Sequence, residues 1–254
     1  MKYVDLSIAL EPDLPSDPPE LTPRFKFFDH TDGIEMMKRA FGCEAEALPK
    51  EGLSAITIIT CSDHSGTHMD APFHYSPVTD DGKPMGSIDT LPLEWCFADG
   101  VCVHFQDKPD GYLVMPEDLE EYFADVGYTL KAGDIVLLHT SADARHGSER
   151  YIVSGCGVGR AATLWLVNQG VNIVGTDAWS WDRPLPLIAE DYSKSHDASI
   201  IWEGHLAGKT APYFQMEKMT NLDRLPPFGF RLICVPIKIK GGTAGWVRPI
   251  AILP

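Results

Sequence analysis

Three histidines and an aspartate fall within eleven residues in Asp63-His64-Ser65-Gly66-Thr67-His68-Met69-Asp70-Ala71-Pro72-Phe73-His74. Imidazole and carboxylate are the usual ligands of a borderline divalent ion such as zinc, and they also bind manganese or iron. His64, His68, Asp70 and His74 all stand at even positions. In extended backbone alternate side chains share a face, so the spacing predicts a single row of four ligand-type groups. Gly66 disfavours a helix here, and Pro72 breaks the segment at Ala71, so a strand end running into an ordered loop is expected. Nine histidines occur in the chain, and any one alone would more often be a surface or satisfied core residue. Four ligand types in register across a Gly- and Pro-punctuated stretch point instead to a metal site.

The elements around this stretch must hold it. Leu53–Cys61 is rich in β-branched residues, reads as a core strand and is expected to deliver the metal loop. Further strands are expected at Tyr3–Leu10, Gly100–Phe105, Ile135–His139, Val171–Gly175, Arg231–Lys240 and Ala251–Leu253. Helices are expected over Thr31–Ala40, over Glu117–Phe123 behind Pro116, and over Gly159–Gln169, closed by Gly170. Pro12 to Pro23 holds five prolines and reads as a turn-rich surface run. Strands dominate and helices are few, which suggests an α/β chain with a mixed β-sheet or barrel-like core. At 254 residues one domain with a sizeable core is possible.

Bulk properties narrow the function classes. The formal net charge is −15, which argues against nucleic acid and anionic membrane surfaces. No apolar run approaches the ~18–20 residues of a membrane span, and the acidic N-terminal stretch has no signal-peptide core. Six scattered cysteines without a CxxC pair read as reduced thiols, so a cytoplasmic, disulfide-free protein is expected. Several tempting motifs fail. Ala207-Gly208-Lys209-Thr210 looks like a phosphate loop, but Glu203 stands where that motif needs glycine. Gly155-Cys156-Gly157-Val158-Gly159 lacks dinucleotide-loop spacing, and no G-x-S-x-G elbow exists. Cys156, beside a helix start, is a conceivable but weak thiol nucleophile.

The stretch His64-x-Gly66-Thr67-His68-x-Asp70-x-Pro72-x-His74 resembles, position for position, the H-x-G-T-H-x-D-x-P-x-H signature of the cyclase family of metal-dependent hydrolases. That family includes bacterial kynurenine formamidases and isatin hydrolases. Asp5-Leu6-Ser7 is similar to the family's opening segment. The resemblance implies a single domain over residues 1–254 with a swivelling β/α fold, usually in dimers. It implies a further metal pair, His205-x11-Glu217, with His196 and Glu203 as nearby decoys. Residues 24–50 are similar to a segment of the longer isatin hydrolases, and are expected to be either a flap supplying Phe27, Phe28 or Phe41, or a surface insertion. Gly175 to Asp182 carries Asp177, Trp179 and Trp181, expected to bind a planar substrate or else to be ordinary core aromatics.

The expected chemistry is hydrolysis. His64, His68 and Asp70 would hold one or two divalent ions, zinc or manganese, which lower the pKa of water toward ~7 and polarise a carbonyl. His74 would serve as general base and acid, a role the resemblance supports. The expected substrate is a small cyclic amide or an N-acyl or N-formyl aryl amide. An arylformamidase, a lactone hydrolase and a non-catalytic metal-binding protein are the alternatives.

Overall fold

A computed structural model describes residues 1–254. Its elements in chain order are β1 (Lys2–Asp5), β2 (Arg24–Phe28), α1 (His30–Phe41), β3 (Ile56–Thr60), β4 (His68–Asp70), α2 (Pro72–Tyr75), β5 (Phe97–His104), β6 (Leu113–Val114), α3 (Pro116–Val126), β7 (Ile135–His139), β8 (Gly157–Val158), α4 (Arg160–Asn168), β9 (Ile173–Thr176), α5 (Leu185–Ser195), α6 (Glu203–Thr210), β10 (Phe214–Glu217), β11 (Phe230–Ile233), β12 (Ala244–Trp246) and β13 (Ile250–Leu253). Nine strands form one mixed, curled sheet in the order β1-β13-β11-β5-β7-β9-β10-β4-β12. Its centre, β5-β7-β9-β10, is parallel, and the flanks pair antiparallel. The α/β class expected from sequence holds.

Both faces of the centre are buried, which is why β7 and the Val101–Val103 part of β5 read as continuous apolar runs rather than alternating ones. Ile135 and Leu137 of β7 enter a core shared with Cys102, Met69 and Met216. Val136 and Leu138 enter the opposite core with Val101, Val103 and residues of α3 and α4. Leu119 and Phe123 of α3 are buried there, each stabilising by roughly 1.5–3 kcal/mol. α3 starts at Pro116, whose missing N–H is harmless in a first turn, and stops at Gly127, which takes a left-handed φ of 66°.

Three strand expectations need correction. Leu53–Cys61 is not a core strand: β3 pairs only with β2, in a two-stranded ribbon, and all five of its residues are exposed. β-branched composition fixed its extended form but not its burial. β1 ends at Asp5 rather than at Leu10, because the Asp5 carboxylate accepts the Ser7 N–H and hydroxyl and turns the chain locally. β11 ends at Ile233, short of Lys240, ahead of Pro236, which cannot donate to a ladder. α1 begins one residue earlier than expected, since Asp29 caps it and Asp32 bonds back to the Asp29 N–H.

Candidate active site

β4 and β10 build the floor of the site. They pair antiparallel with Asp70 opposite Gln215 and His68 opposite Glu217. Period-two alternation sends Met69 and Met216 into one core and these four polar side chains to the other face. α2 and α6 cover that face, bringing His74 and His205. The predicted single row therefore holds only for His68 and Asp70. His64 sits in a turn before β4, and His74 lies in one helical turn that Pro72 opens at its first position rather than forbids.

The donor atoms converge. His64 Nδ1 lies 2.8 Å and His68 Nε2 3.2 Å from Asp70 Oδ1. His68 Nε2 is 3.6 Å from Glu217 Oε2. His64, Asp70 and His74 form one group, and His68, Asp70 and Glu217 another, with ligand atoms in each within 4.8 Å of one another. His68 Nε2 and Asp70 Oδ1 are buried and, although close to one another and to His64 Nδ1, neither makes a hydrogen bond of good geometry. Such orphaned polar atoms are rare in folded chains and suit coordination of a divalent cation. Outer contacts fix which nitrogen faces inward. His68 Nδ1 meets the Gly66 carbonyl at 2.9 Å, and His64 Nε2 meets the Thr243 hydroxyl at 3.1 Å. Both arrangements leave the opposite nitrogen free to ligate.

His205 is held differently. Its Nδ1 lies 2.5 Å from Asp182 Oδ2, which also accepts the His205 backbone N–H at 2.9 Å. Asp182 Oδ1 accepts the Gly204 N–H at 2.7 Å, so one carboxylate caps α6 and orients its histidine. The Gln215 amide nitrogen is 2.7 Å from His205 Nε2 and donates to Asp70 Oδ2 at 3.1 Å and Glu217 Oε1 at 2.9 Å. It thus sits between the groups a second ion would need.

Burial works against an ionised Asp70, yet His68, His205 and His64 hold its carboxyl well below the usual range. Burial and the Asp70 charge push Glu217 up. Burial opposes a charged His64, but Asp70 beside it raises its pKa. His74 is driven down to about 4, by burial above all, against the pull of Asp70 and with His64, His205 and His68 adding to it. His74 is therefore a neutral imidazole at physiological pH.

A cavity of about 220 Å³ opens onto these groups. His64, His68, His74, His205 and Glu217 line it, with Trp179, Trp202, Leu21, Ser180 and Lys218 as walls. Trp202 stacks on His205 at 4.3 Å and 11° between planes. Trp179 donates its indole N–H to Asp17 at 2.8 Å. Asp177 and Trp181 stand elsewhere. Asp177 is buried, accepting from Thr140 N, Thr140 Oγ1 and Ser141 N, while burial pushes its carboxyl up to about 7. Trp181 is a core residue whose indole donates to Thr163, and its backbone N–H supports Glu217 Oε1 at 2.8 Å. Neither reaches the cavity, so the expectation of substrate contact gives way to a supporting role. Phe27, Phe28 and Phe41 do not line the cavity either, and Phe27 and Phe41 are exposed; Leu21 of the proline-rich run does. Cys156 is buried and its thiol is pushed up to about 12 by burial, which removes it as a nucleophile. Asp182, Gln215, Trp202, Asp17 and Lys218 were not singled out from sequence. Gln215 alone carried a signal, two residues before Glu217 on one strand face.

Residues 4–183 match a family model described as "Putative cyclase". The chain is 26% identical over 211 residues to isatin hydrolase of Roseibium aggregatum, covering 76% of this chain and 72% of that one. It is 28% identical over 194 residues to kynurenine formamidase of Erythrobacter litoralis, covering 76% and 74%. Isatin hydrolase A from Ralstonia solanacearum has the same fold, with a TM-score of 0.77 at 22% identity over all of this chain and 92% of that one. The match of most of the chain to the family model, with the signature residues gathered on β4, the turn before it and α2, places the protein in the cyclase family.

Proposed function

We propose that the chain is a metal-dependent hydrolase that opens a cyclic amide or cleaves an N-acyl or N-formyl aryl amide. The observation that carries this reading is the pair of orphaned atoms, His68 Nε2 and Asp70 Oδ1, beneath a cavity walled by two indoles. The similarity to an isatin hydrolase and a kynurenine formamidase supports the substrate class. His64, His68 and Asp70 hold a divalent ion, zinc or manganese. Glu217, which groups with His68 and Asp70, and His205 beside it are further ligands, and metal analysis is expected to give one or two ions per chain.

When bound, the ion supplies Lewis-acid polarisation of the scissile carbonyl and acidifies water. The residues do the rest. Trp179 and Trp202 receive the planar part of the substrate and exclude water from it. Neutral His74 takes a proton on its ring nitrogen from the attacking water and returns it to the leaving nitrogen. Asp182 holds His205 and Trp181 holds Glu217, so the polar floor needs no reorganisation during the reaction.

The experiment is a hydrolysis panel of isatin, N-formylkynurenine and an aromatic lactone on the purified protein, before and after chelation and metal return. Metal-restored cleavage of one substrate establishes the reaction and chooses the branch. Metal bound with no cleavage of any favours the non-catalytic reading.

Two coarser features belong to the same proposal. The ribbon and its helix expose Phe27, Phe41, Ile56, Ile58 and Ile59, which supports a homo-oligomer. A monomeric mass in light scattering would remove that part. No helix is long and apolar enough to cross a membrane, and a cytoplasmic location is proposed with it.

A further inference from the structure

Lys218 is the single Lys or Arg among the cavity-lining residues, and its side chain is 3% exposed. Alternation along β10 should have carried it to the opposite face with Met216. A left-handed backbone at Lys218, φ 56°, turns it back, so that consecutive residues Glu217 and Lys218 both face the cavity. Side chains seldom adopt that conformation unless the surroundings impose it. Here they do: the Lys218 carbonyl accepts the Thr67 hydroxyl at 2.6 Å, and its N–H donates to the Ala178 carbonyl.

The ammonium is firmly placed. It donates to Asp17 of the proline-rich run and to the His64 carbonyl at 3.1 Å, and lies 4.9 Å from the centroid of the Trp179 ring. Asp17 Oδ1 accepts the Trp179 indole N–H as well, so one carboxylate oxygen aligns the aromatic wall with the cation. An ammonium has three N–H donors, and these contacts use two. The other walls of the cavity are indole, imidazole and Leu21, apart from Ser180 and acidic Glu217.

We infer that Lys218 is a specificity-determining residue that selects aryl amides bearing a second oxygen acceptor, a carboxylate or carbonyl, beside the scissile amide. The inference rests on the hydrolase reading above. With the ring against Trp179, such an oxygen meets the ammonium while the scissile carbonyl lies over the His68 and Asp70 floor.

The test compares N-formylanthranilate with formanilide, which lacks the carboxylate, and measures anthranilate binding by calorimetry on the metal-loaded protein. The variants are Lys218→Met and the double variant Lys218→Met/Asp17→Asn, which leaves no unpaired buried charge and guards against misfolding. Both are expected to lower kcat/KM for N-formylanthranilate at least about tenfold more than for formanilide, mostly through KM. Anthranilate binding is expected to weaken about tenfold or more. Equal losses on both substrates, or anthranilate binding indifferent to Lys218, would overturn the assignment while wild-type turnover leaves the hydrolase reading standing. No wild-type turnover together with Lys218-dependent anthranilate binding would do the reverse, supporting the anion site and removing the reaction assigned to it.

Discussion

Replacing Asp182 by Asn tests whether His205 and the start of α6 depend on one carboxylate. In the native chain Asp182 accepts three N–H groups: Gly204 N at 2.7 Å, His205 N at 2.9 Å and His205 Nδ1 at 2.5 Å. Trp202, the residue before α6, has no side-chain cap bond, so no other side chain satisfies these donors. An asparagine has one oxygen. Aimed at His205, it leaves the Gly204 N–H facing an amide N–H₂; aimed at Gly204, it leaves both His205 donors so. Either way at least one buried donor loses its acceptor, which costs about 1–3 kcal/mol. For a chain of this size each kcal/mol shifts the melting temperature by about 2–4 °C. Outer carboxylates on site histidines typically tune metal affinity or activity by about 10–100-fold, so activity is expected to fall within that range. The assays are thermal denaturation, circular dichroism and steady-state hydrolysis. A variant with native melting temperature and native kcat/KM would refute the claim that this carboxylate organises the site.

Replacing His74 by Ala is expected to lower kcat by about 10²–10⁴-fold while metal content by elemental analysis stays unchanged; loss of metal would make His74 a ligand instead. Because His74 is depressed to about 4, its imidazole is unprotonated and able to accept a proton above that value. The acid limb of kcat/KM is therefore expected near or below about pH 5, not near the ~6.5 of an ordinary imidazole, with metal content checked at each pH. Replacing Gly157 by Ala would put a Cβ 2.0 Å from the Arg183 backbone nitrogen and 2.2 Å from the Asp182 carbonyl carbon. The segment carrying Asp182 must then shift, and a loss of about 1–3 kcal/mol in chemical denaturation is expected.

The parts of the site legible in the sequence were those governed by local spacing. His68 and Asp70 share a face because they are two residues apart in a strand, and Gln215 and Glu217 repeat that pattern across from them. His205 came only through resemblance. Its helix, Glu203–Thr210, includes two glycines, and its start is capped by Asp182, 21 residues before Glu203, so no neighbouring residue announces it. Trp179 and Trp181 divide between the two readings the sequence leaves open, because the chain from 177 to 183 bends rather than extends, sending Trp181 into the core and Trp179 to the cavity. Lys218 was hidden for a related reason, since a positive φ at a non-glycine residue reverses the face that alternation assigns. β3 misled because apolar, β-branched composition describes an exposed ribbon as well as a buried strand.

On the function proposed above, His64 and His68, both beside Asp70, hold with it an ion required for amide hydrolysis. The most direct measurement is isatin and N-formylkynurenine turnover on protein stripped by chelator and then titrated with zinc or manganese. Activity is expected to vanish on stripping and to return in proportion to bound metal, saturating at one or two ions per chain. Undiminished turnover by protein shown to be metal-free would rule out a metal-dependent hydrolysis.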